Sequence, residues 1–259
     1  MNNIEQQNTT EEVKPQSNKL RFKCFSDIHW KCFGFIDTYV KPAEDDPNLD
    51  AVFLCGDLGI FDDTATNDAV DAIKAKWPSA KIFYVPGNHD FMNTNDPERP
   101  PFILANVDVW LTGDEIKPYN LKGFNIYGTR YWECAQPNCI NRIARNGMCN
   151  AEEMRQNVQH IPEGLDILVT HCPAEVLDST GPSGSRYGSH ELQTRLEELA
   201  TKGQQPKYHI FGHIHGSGGN ISTSEDTNIT SINCAVLSEG YVINPSAVPV
   251  LSQTFELEK

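Results

Sequence analysis

At 259 residues, 39% of them hydrophobic, the chain is long enough to bury a large core, and no internal repeat divides it. A formal net charge of −14, from 35 acidic against 21 basic residues with no Lys/Arg-rich run, disfavours a polymeric nucleic-acid substrate, which calls for a basic footprint that releases counterions. The absence of a secretory apolar core or a long apolar run disfavours export and membrane spanning, and the eight cysteines read as reduced thiols of a cytoplasmic protein.

In chain order, Met1 to Lys19 holds polar residues with only isolated Ile4 and Val13, so residues 1–19 are expected to be a disordered tail and 20–259 a single domain. Leu20 to Phe25 predicts a strand and runs into Ser26-Asp27-Ile28-His29. Ala51 to Cys55 predicts a second and runs into Gly56-Asp57. Asp63 to Trp77 carries Ala65, Ala69, Ile73 and Trp77 at helical spacing. Lys81 to Val85 predicts a third strand, followed after Pro86 by Gly87-Asn88-His89-Asp90. The apolar segment Phe124 to Tyr127 would release Arg130 at a strand end. Cys134, Cys139 and Cys149 cluster in a loop-like stretch whose spacing is not that of a zinc ribbon. Leu165 to Val169 predicts a fourth strand before Thr170-His171, and Ser189 to Lys202 a helix with Leu192, Leu196 and Leu199 on one face. Tyr208 to Phe211 predicts a fifth strand, ending in Gly212-His213-Ile214-His215. Ser231 to Val236, Tyr241 to Ile243 and Val248 to Leu251 predict further strands that complete a second sheet. The alternation is βαβ in character, an α/β fold, and such sheets build their sites beyond the carboxyl ends of strands.

Imidazoles, carboxylates and a carboxamide at those strand ends suit a divalent ion of the Mn, Fe, Co, Ni or Zn series, where an all-oxygen set would suit Mg or Ca and a thiolate set structural Zn. Asp27, His29, Asp57, Asn88, His171, His213 and His215 exceed what one ion with an open position needs. A carboxylate such as Asp57 can bridge two ions ~3.5–4 Å apart, with a bridging hydroxide as nucleophile.

Taken singly, Asp27-x-His29 and Gly56-Asp57 fit ordinary turns, since Asp and Asn favour turns for local hydrogen-bonding reasons. Gly87-Asn88-His89-Asp90 is sharper, because its glycine lets the backbone approach closely. In Gly212-His213-Ile214-His215, read as extended, the two histidines share one side and the flanking Gly212 and Gly216 remove bulk. Together and in this order the motifs predict a metal site. His160, His190 and His209 lack this context and read as structural. Arg130 is a candidate to steady a substrate phosphate, as is Arg186; a solvated surface arginine is the competing reading for each.

The order Asp-x-His, Gly-Asp, Gly-Asn-His-Asp, His, Gly-His-x-His resembles the calcineurin-like metallophosphoesterase superfamily, over about residues 20–215. Thr170 to Asp178, Tyr208 to Gly216 and Ile243-Asn244-Pro245 resemble the small metallophosphoesterase-domain proteins of the brain "239" type. The resemblance implies a four-layer α/β/β/α sandwich with a binuclear metal site at strand carboxyl ends. It implies two divalent ions, manganese foremost and iron, zinc, nickel or cobalt as alternatives. Asp27, His29 and His215 would hold one ion, Asn88, His171 and His213 the other, and Asp57 would bridge. His89 would protonate the leaving oxygen, oriented by Asp90. The substrates implied are small phosphodiesters such as cyclic nucleotides. Phosphomonoesterase, nucleotide pyrophosphatase and non-catalytic scaffold are the alternatives. Leu58 to Asp63 carries no arginine where protein serine/threonine phosphatases have one, which disfavours a phosphoprotein substrate. The oligomeric state is open.

Overall fold

A computed structural model describes residues 18–59, 63–90, 104–115, 117–133, 148–174 and 188–259. Three expected strands open the chain's first sheet: β1 (Lys19–Phe25), β2 (Ala51–Leu54) and β3 (Lys81–Tyr84), parallel to one another and continued by the short β4 (Val109–Trp110). Between them lie α1 (Cys32–Phe35), extended by a π turn over Ile36–Val40, and α2 (Asp63–Lys76).

The second sheet begins with the hairpin β5 (Tyr119–Leu121) and β6 (Phe124–Thr129). A two-stranded ribbon, β7 (Trp132–Glu133) and β8 (Met148–Cys149), precedes α3 (Ala151–Val158), β9 (Ile167–Thr170), α4 (His190–Thr201) and β10 (Tyr208–Phe211). The chain then forms β11 (Ile221–Thr223), β12 (Thr230–Asn233), α5 (Val248–Leu251) and β13 (Phe255–Glu258). Strand order is β13-β1-β2-β3-β4 in one sheet and β11-β12-β10-β9-β6-β5 in the other.

The inner strands are buried along their length, as in Ala51–Leu54 and Ile167–Thr170, which is what a parallel sheet covered on both faces requires. Strand alternation sorts their side chains into two cores. Ile167 and Val169 of β9 join Phe22, Phe53, Ile126, Ile210 and Ile232 in a core shared by the two sheets. Leu168 points the other way, to Met154 and Val158 of α3 and Leu192, Leu196 and Leu199 of α4. On the far side, Phe35 and Tyr39 with Ala69, Val70, Ile73 and Trp77 of the α2 region cover the first sheet. The result is the layered α/β/β/α arrangement that the resemblance implied.

Two expectations are corrected. Val248-Pro249-Val250-Leu251 is the helix α5, with proline in its first turn where a missing N–H costs nothing, and Leu251 buried. Tyr241 to Ile243 forms no strand, only a bridge from Ile243 to Leu237. The chain ends instead in β13, antiparallel to β1 in the first sheet. Residues 1–17 of the expected tail lie outside the described residues, and Lys19 already pairs with Glu258. Among the described residues no helix is long and apolar enough to cross a membrane.

Candidate metal centre

The five motifs meet where the carboxyl ends of the two sheets adjoin. β1, β2 and β3 lead into Asp27 and His29, Asp57, and Asn88 to Asp90; β9 and β10 lead into His171 and into His213 and His215. The seam is stitched beside the site, with Ser26 N donating to Cys234 O at 2.8 Å and Val236 N to Ser26 O at 3.0 Å.

Asp27, His29, Asp57 and His213 all adopt left-handed backbone, with φ of 56°, 49°, 54° and 69°. Each such residue costs about 1–3 kcal/mol and persists where its surroundings over-determine it. Here they do: Asp27 N donates to Gly56 O at 3.0 Å, His29 N to Asp57 O at 2.9 Å, and His213 N to Asp27 Oδ2 at 2.8 Å. Two glycines allow the loops to close this far. A Cβ on Gly87 would collide with the Asp57 carboxylate, and one on Gly212 with the side chains of Ser26 and Asp27. Gly212 does remove bulk, but to admit Ser26 and Asp27, and the extended geometry read for the two histidines does not hold. His213 is left-handed and His215 opens a 3-10 turn, His215–Ser217, so a turn and not strand alternation delivers both rings. It also parts them: His213 stands beside His171 and His215 beside His29, each pair with ring centroids 5.1 Å apart.

The lone pairs of the donor set call for a cation. His171 Nδ1 lies 2.7 Å from Cys55 O, which can only accept, so Nδ1 carries the proton. In the neutral ring Nε2 then directs its lone pair at Asn88 Oδ1, 2.9 Å away, and Asp57 Oδ2, 3.3 Å away. His215 Nδ1 likewise donates to Ser238 O at 3.2 Å, and its Nε2 faces His29 Nε2 and Asp27 Oδ1, each at 3.2 Å. Asp27 Oδ1, fully buried, makes no hydrogen bond despite that proximity. Acceptors converging on acceptors in a buried site are repulsive unless positive charge lies among them. Backbone carbonyls that fix the outer ring nitrogen are also how ligand histidines are commonly oriented. Ligand atoms gather within 4.8 Å of one another in three groups: Asp27, His29 and His215; Asp27, Asp57 and His171; and His171, Cys172 and His213. These residues fit a divalent ion of the Mn to Zn series.

Electrostatics agree. Burial would raise both carboxylates, but His215, His171 and His29 hold Asp27, and His171 and His89 hold Asp57, below the ordinary aspartate value. Burial would depress His171, yet Asp57 and Asp27 lift it to about 10. Without an ion the ring itself therefore carries the positive charge, its Nε2–H facing Asp57 and Asn88, and a metal ion would take that proton's place. The carboxylates thus demand a positive partner. Burial keeps His29 and His213 down at about 4, so these rings are neutral donors.

His89 differs from the ligand-type rings. Its backbone N–H donates to Asp57 Oδ1 at 2.8 Å, its Nε2 stands 3.9 Å from Asp57 Oδ2, and its side chain is 28% exposed where His171 is 1%. It borders the centre and is open to a substrate. The expectation for Asp90 is corrected. Its carboxylate accepts from Asp57 N, Leu58 N and Gly87 N at 2.8 Å each and from Tyr84 OH at 2.7 Å, so it clamps the β2 and β3 loops together and has no capacity directed at the His89 ring. Arg130 emerges after β6 as expected, beside the Thr129–Thr170 pair, but its guanidinium bonds Asp114 at 3.2 Å and lies over the Tyr131 ring. Arg186, Cys134 and Cys139 lie outside the described residues. His160 and His190 are exposed. His209, wholly buried, donates Nε2–H to Thr170 Oγ1 at 2.9 Å, while that hydroxyl donates to Cys172 O at 2.6 Å. Three neighbours of the centre escaped the sequence reading: Cys172 as a potential donor, and the aromatic residues Trp30 and Tyr241 against His29 and His215.

The family model described as calcineurin-like phosphoesterase matches residues 20–217, all five motifs included. UPF0046 protein C25E10.12 of Caenorhabditis elegans is 23% identical over 253 residues, 89% of this chain and 84% of that one. The human metallophosphoesterase domain-containing protein 1 is 29% identical over 148 residues, 56% of this chain and 40% of that one. In the crystal structure of TT1561 of Thermus thermophilus the same fold recurs, with a TM-score of 0.55 at 14% identity, covering 92% of this chain and 97% of that one. With the motif order, the layered fold and the converged donors now joined by a match over most of its length, the chain belongs to the calcineurin-like phosphoesterase family, hydrolases of phosphoric ester bonds.

Proposed function

We propose that this protein hydrolyses small phosphodiesters, cyclic nucleotides among them, at a centre holding two divalent ions, manganese foremost. The observation that carries the reading is the convergence of His171 Nε2 on Asp57 and Asn88 oxygens on one side, and of His215 Nε2 on His29 and Asp27 on the other. Asp27, His29 and His215 would hold one ion, Asn88, His171 and His213 the second, with Asp57 shared. Bound there, divalent ions neutralise phosphate oxygens and lower the pKa of coordinated water.

The chain's own residues supply the rest. Asp57 Oδ1, by accepting the His89 N–H, fixes the backbone from which the His89 ring reaches the leaving-group oxygen and gives it a proton. Asp90 acts as a positioning residue, since it holds the loops that carry Asp57 and Asn88. Arg130 is proposed to bind a substrate oxygen, leaving Asp114 to do so. The acidic surface supports a small substrate over a polymeric one. Cys24, Cys55, Cys172 and Cys234 are buried thiols outside any disulfide, which supports a reducing compartment such as the cytoplasm.

Turnover by Mn²⁺-reconstituted protein of bis-p-nitrophenyl phosphate, p-nitrophenyl phosphate, cyclic nucleotides and dinucleotide polyphosphates tests this. Diesters should be cleaved fastest. Preference for the monoester or the pyrophosphate would move the substrate class, and no turnover with metal content verified would leave a binding protein.

A further inference from the structure

Trp30 follows His29 directly in the chain, and Tyr241 belongs to the turn that serves His215. Their rings are stacked, with centroids 4.9 Å apart and planes 22° from parallel. Tyr241 also stands edge-on to His29 and to His215, 5.1 Å from each, and Trp30 lies 5.9 Å from His29. An aromatic surface therefore begins at the imidazoles and runs outward.

That surface is held in position. Tyr241 N donates to Ser238 O and Ser238 N to Val242 O, both at 2.8 Å, closing a turn. The same Ser238 carbonyl takes the His215 Nδ1 proton, and Glu239 Oε1 accepts from Gly216 N at 2.9 Å. Tyr241 sits at φ 54°, a conformation bulky residues avoid and one that tends to be kept where a position has a task. Covering the histidines would explain Tyr241 but not Trp30, which remains 50% exposed with one face already against Tyr241. The exposed large apolar side chains among the described residues are Trp30, Phe33, Ile221 and Val242, and Phe33 and Val242 flank the pair in sequence.

We propose that Trp30 and Tyr241 form a stacking platform for a planar aromatic group of the phosphoester, on the His29–His215 side of the centre. The platform rests on the phosphoesterase reading and narrows its substrate class to aryl and nucleoside esters over alkyl ones. Stacking of this kind accepts any ring with a π face, so it selects planar over aliphatic groups and not one base over another.

Phenyl p-nitrophenyl phosphate and methyl p-nitrophenyl phosphate share a leaving group, assigned to His89, and differ only in the second ester group, the one left to stack on the His29–His215 side. In Mn²⁺-reconstituted Trp30→Ala the ratio of kcat/KM for the phenyl over the methyl ester should fall about 5- to 100-fold, the range that loss of one stacking ring produces. Trp30→Phe should keep most of the ratio, and Trp30→Leu, apolar but without a π face, should lose it. Calorimetric binding of phenylphosphonate against methylphosphonate reads the same preference without turnover. An unchanged ratio in the Ala and Leu variants, or no phenyl preference in the wild-type protein, overturns the platform. No hydrolysis of either ester, with the phosphonate preference present and lost in Trp30→Ala, overturns the phosphoesterase reading and upholds the platform.

Discussion

The two sheets furnish unlike halves of the centre. From the first come both carboxylates and the carboxamide, Asp27, Asp57 and Asn88, with His29 and His89; from the second come imidazoles, His171, His213 and His215. One half is anionic and buried, the other carries charge only when its rings are protonated. Neither is stable alone: a buried carboxylate without a cationic partner is costly, and the nearest ring nitrogens belong to the opposite sheet. Each proposed ion would draw donors from both halves, so metal binding should add to the docking that the shared core already provides.

The largest effect should come from the shared carboxylate. Asp57→Asn should lose at least one ion by elemental analysis and reduce kcat/KM on the order of 10³-fold or more, since metal charge contributes several kcal/mol to such transition states. Chelation should abolish activity and also lower the melting temperature by about 5–10 °C, the equivalent of an ion present at about 100 times its Kd. Full retention of two ions in Asp57→Asn, or an unchanged melting point after verified metal removal, breaks the link between the halves.

His89→Ala should keep both ions and lower kcat by ~10²–10⁴-fold on a cyclic nucleotide, the span of general acid catalysis. A p-nitrophenolate leaves without a proton, so bis-p-nitrophenyl phosphate should be hurt less. An equal fall on both substrates, or lost metal, would make His89 a ligand or a positioning group. Arg130→Ala should raise KM by less than the roughly 10- to 160-fold that a hydrogen bond to a charged group, about 1.5–3 kcal/mol, would give, because Asp114 already holds its guanidinium. Unchanged KM would return Arg130 to the surface.

The smallest effect separates structure from site within the second sheet. Burial pushes His209 down to about 3 in the fold, against about 6.5 unfolded. The unfolded chain therefore takes up a proton first, and stability fully present above about pH 6.5 is lost as pH falls toward 3. His209→Gln keeps an N–H for Thr170 but cannot titrate, so between pH 7 and pH 5 it should lose about 2 kcal/mol less than the wild-type protein in urea unfolding. Equal losses would mean that His209 is not held neutral.

Much of this was legible in the sequence because the parallel strands are buried on both faces, giving continuous apolar runs such as Ala51–Leu54 that end in polar motifs. The terminal segment misled for the converse reason. Val248 to Leu251 is β-prone in composition, yet its proline and its packing against the sheet make it helical, an override no local preference reports. Cys32 to Val40, with glycine, aromatic and β-branched residues, has weak helix propensity and is helical through the burial of Phe35, Ile36 and Tyr39. At the site, residue types announced the donors, but the left-handed turns at Asp27, His29, Asp57 and His213 are properties of loops meeting across sheets. Asp90 was misread because its neighbour in sequence, His89, is not its partner in space.

Anomalous diffraction at the manganese edge from Mn²⁺-loaded crystals tests the shared centre most directly. Two peaks ~3.5–4 Å apart are predicted, one among Asp27, His29 and His215, the other among Asn88, His171 and His213, with the Asp57 carboxylate between them. A single peak, or peaks served by only one of the two sheets, would contradict the account.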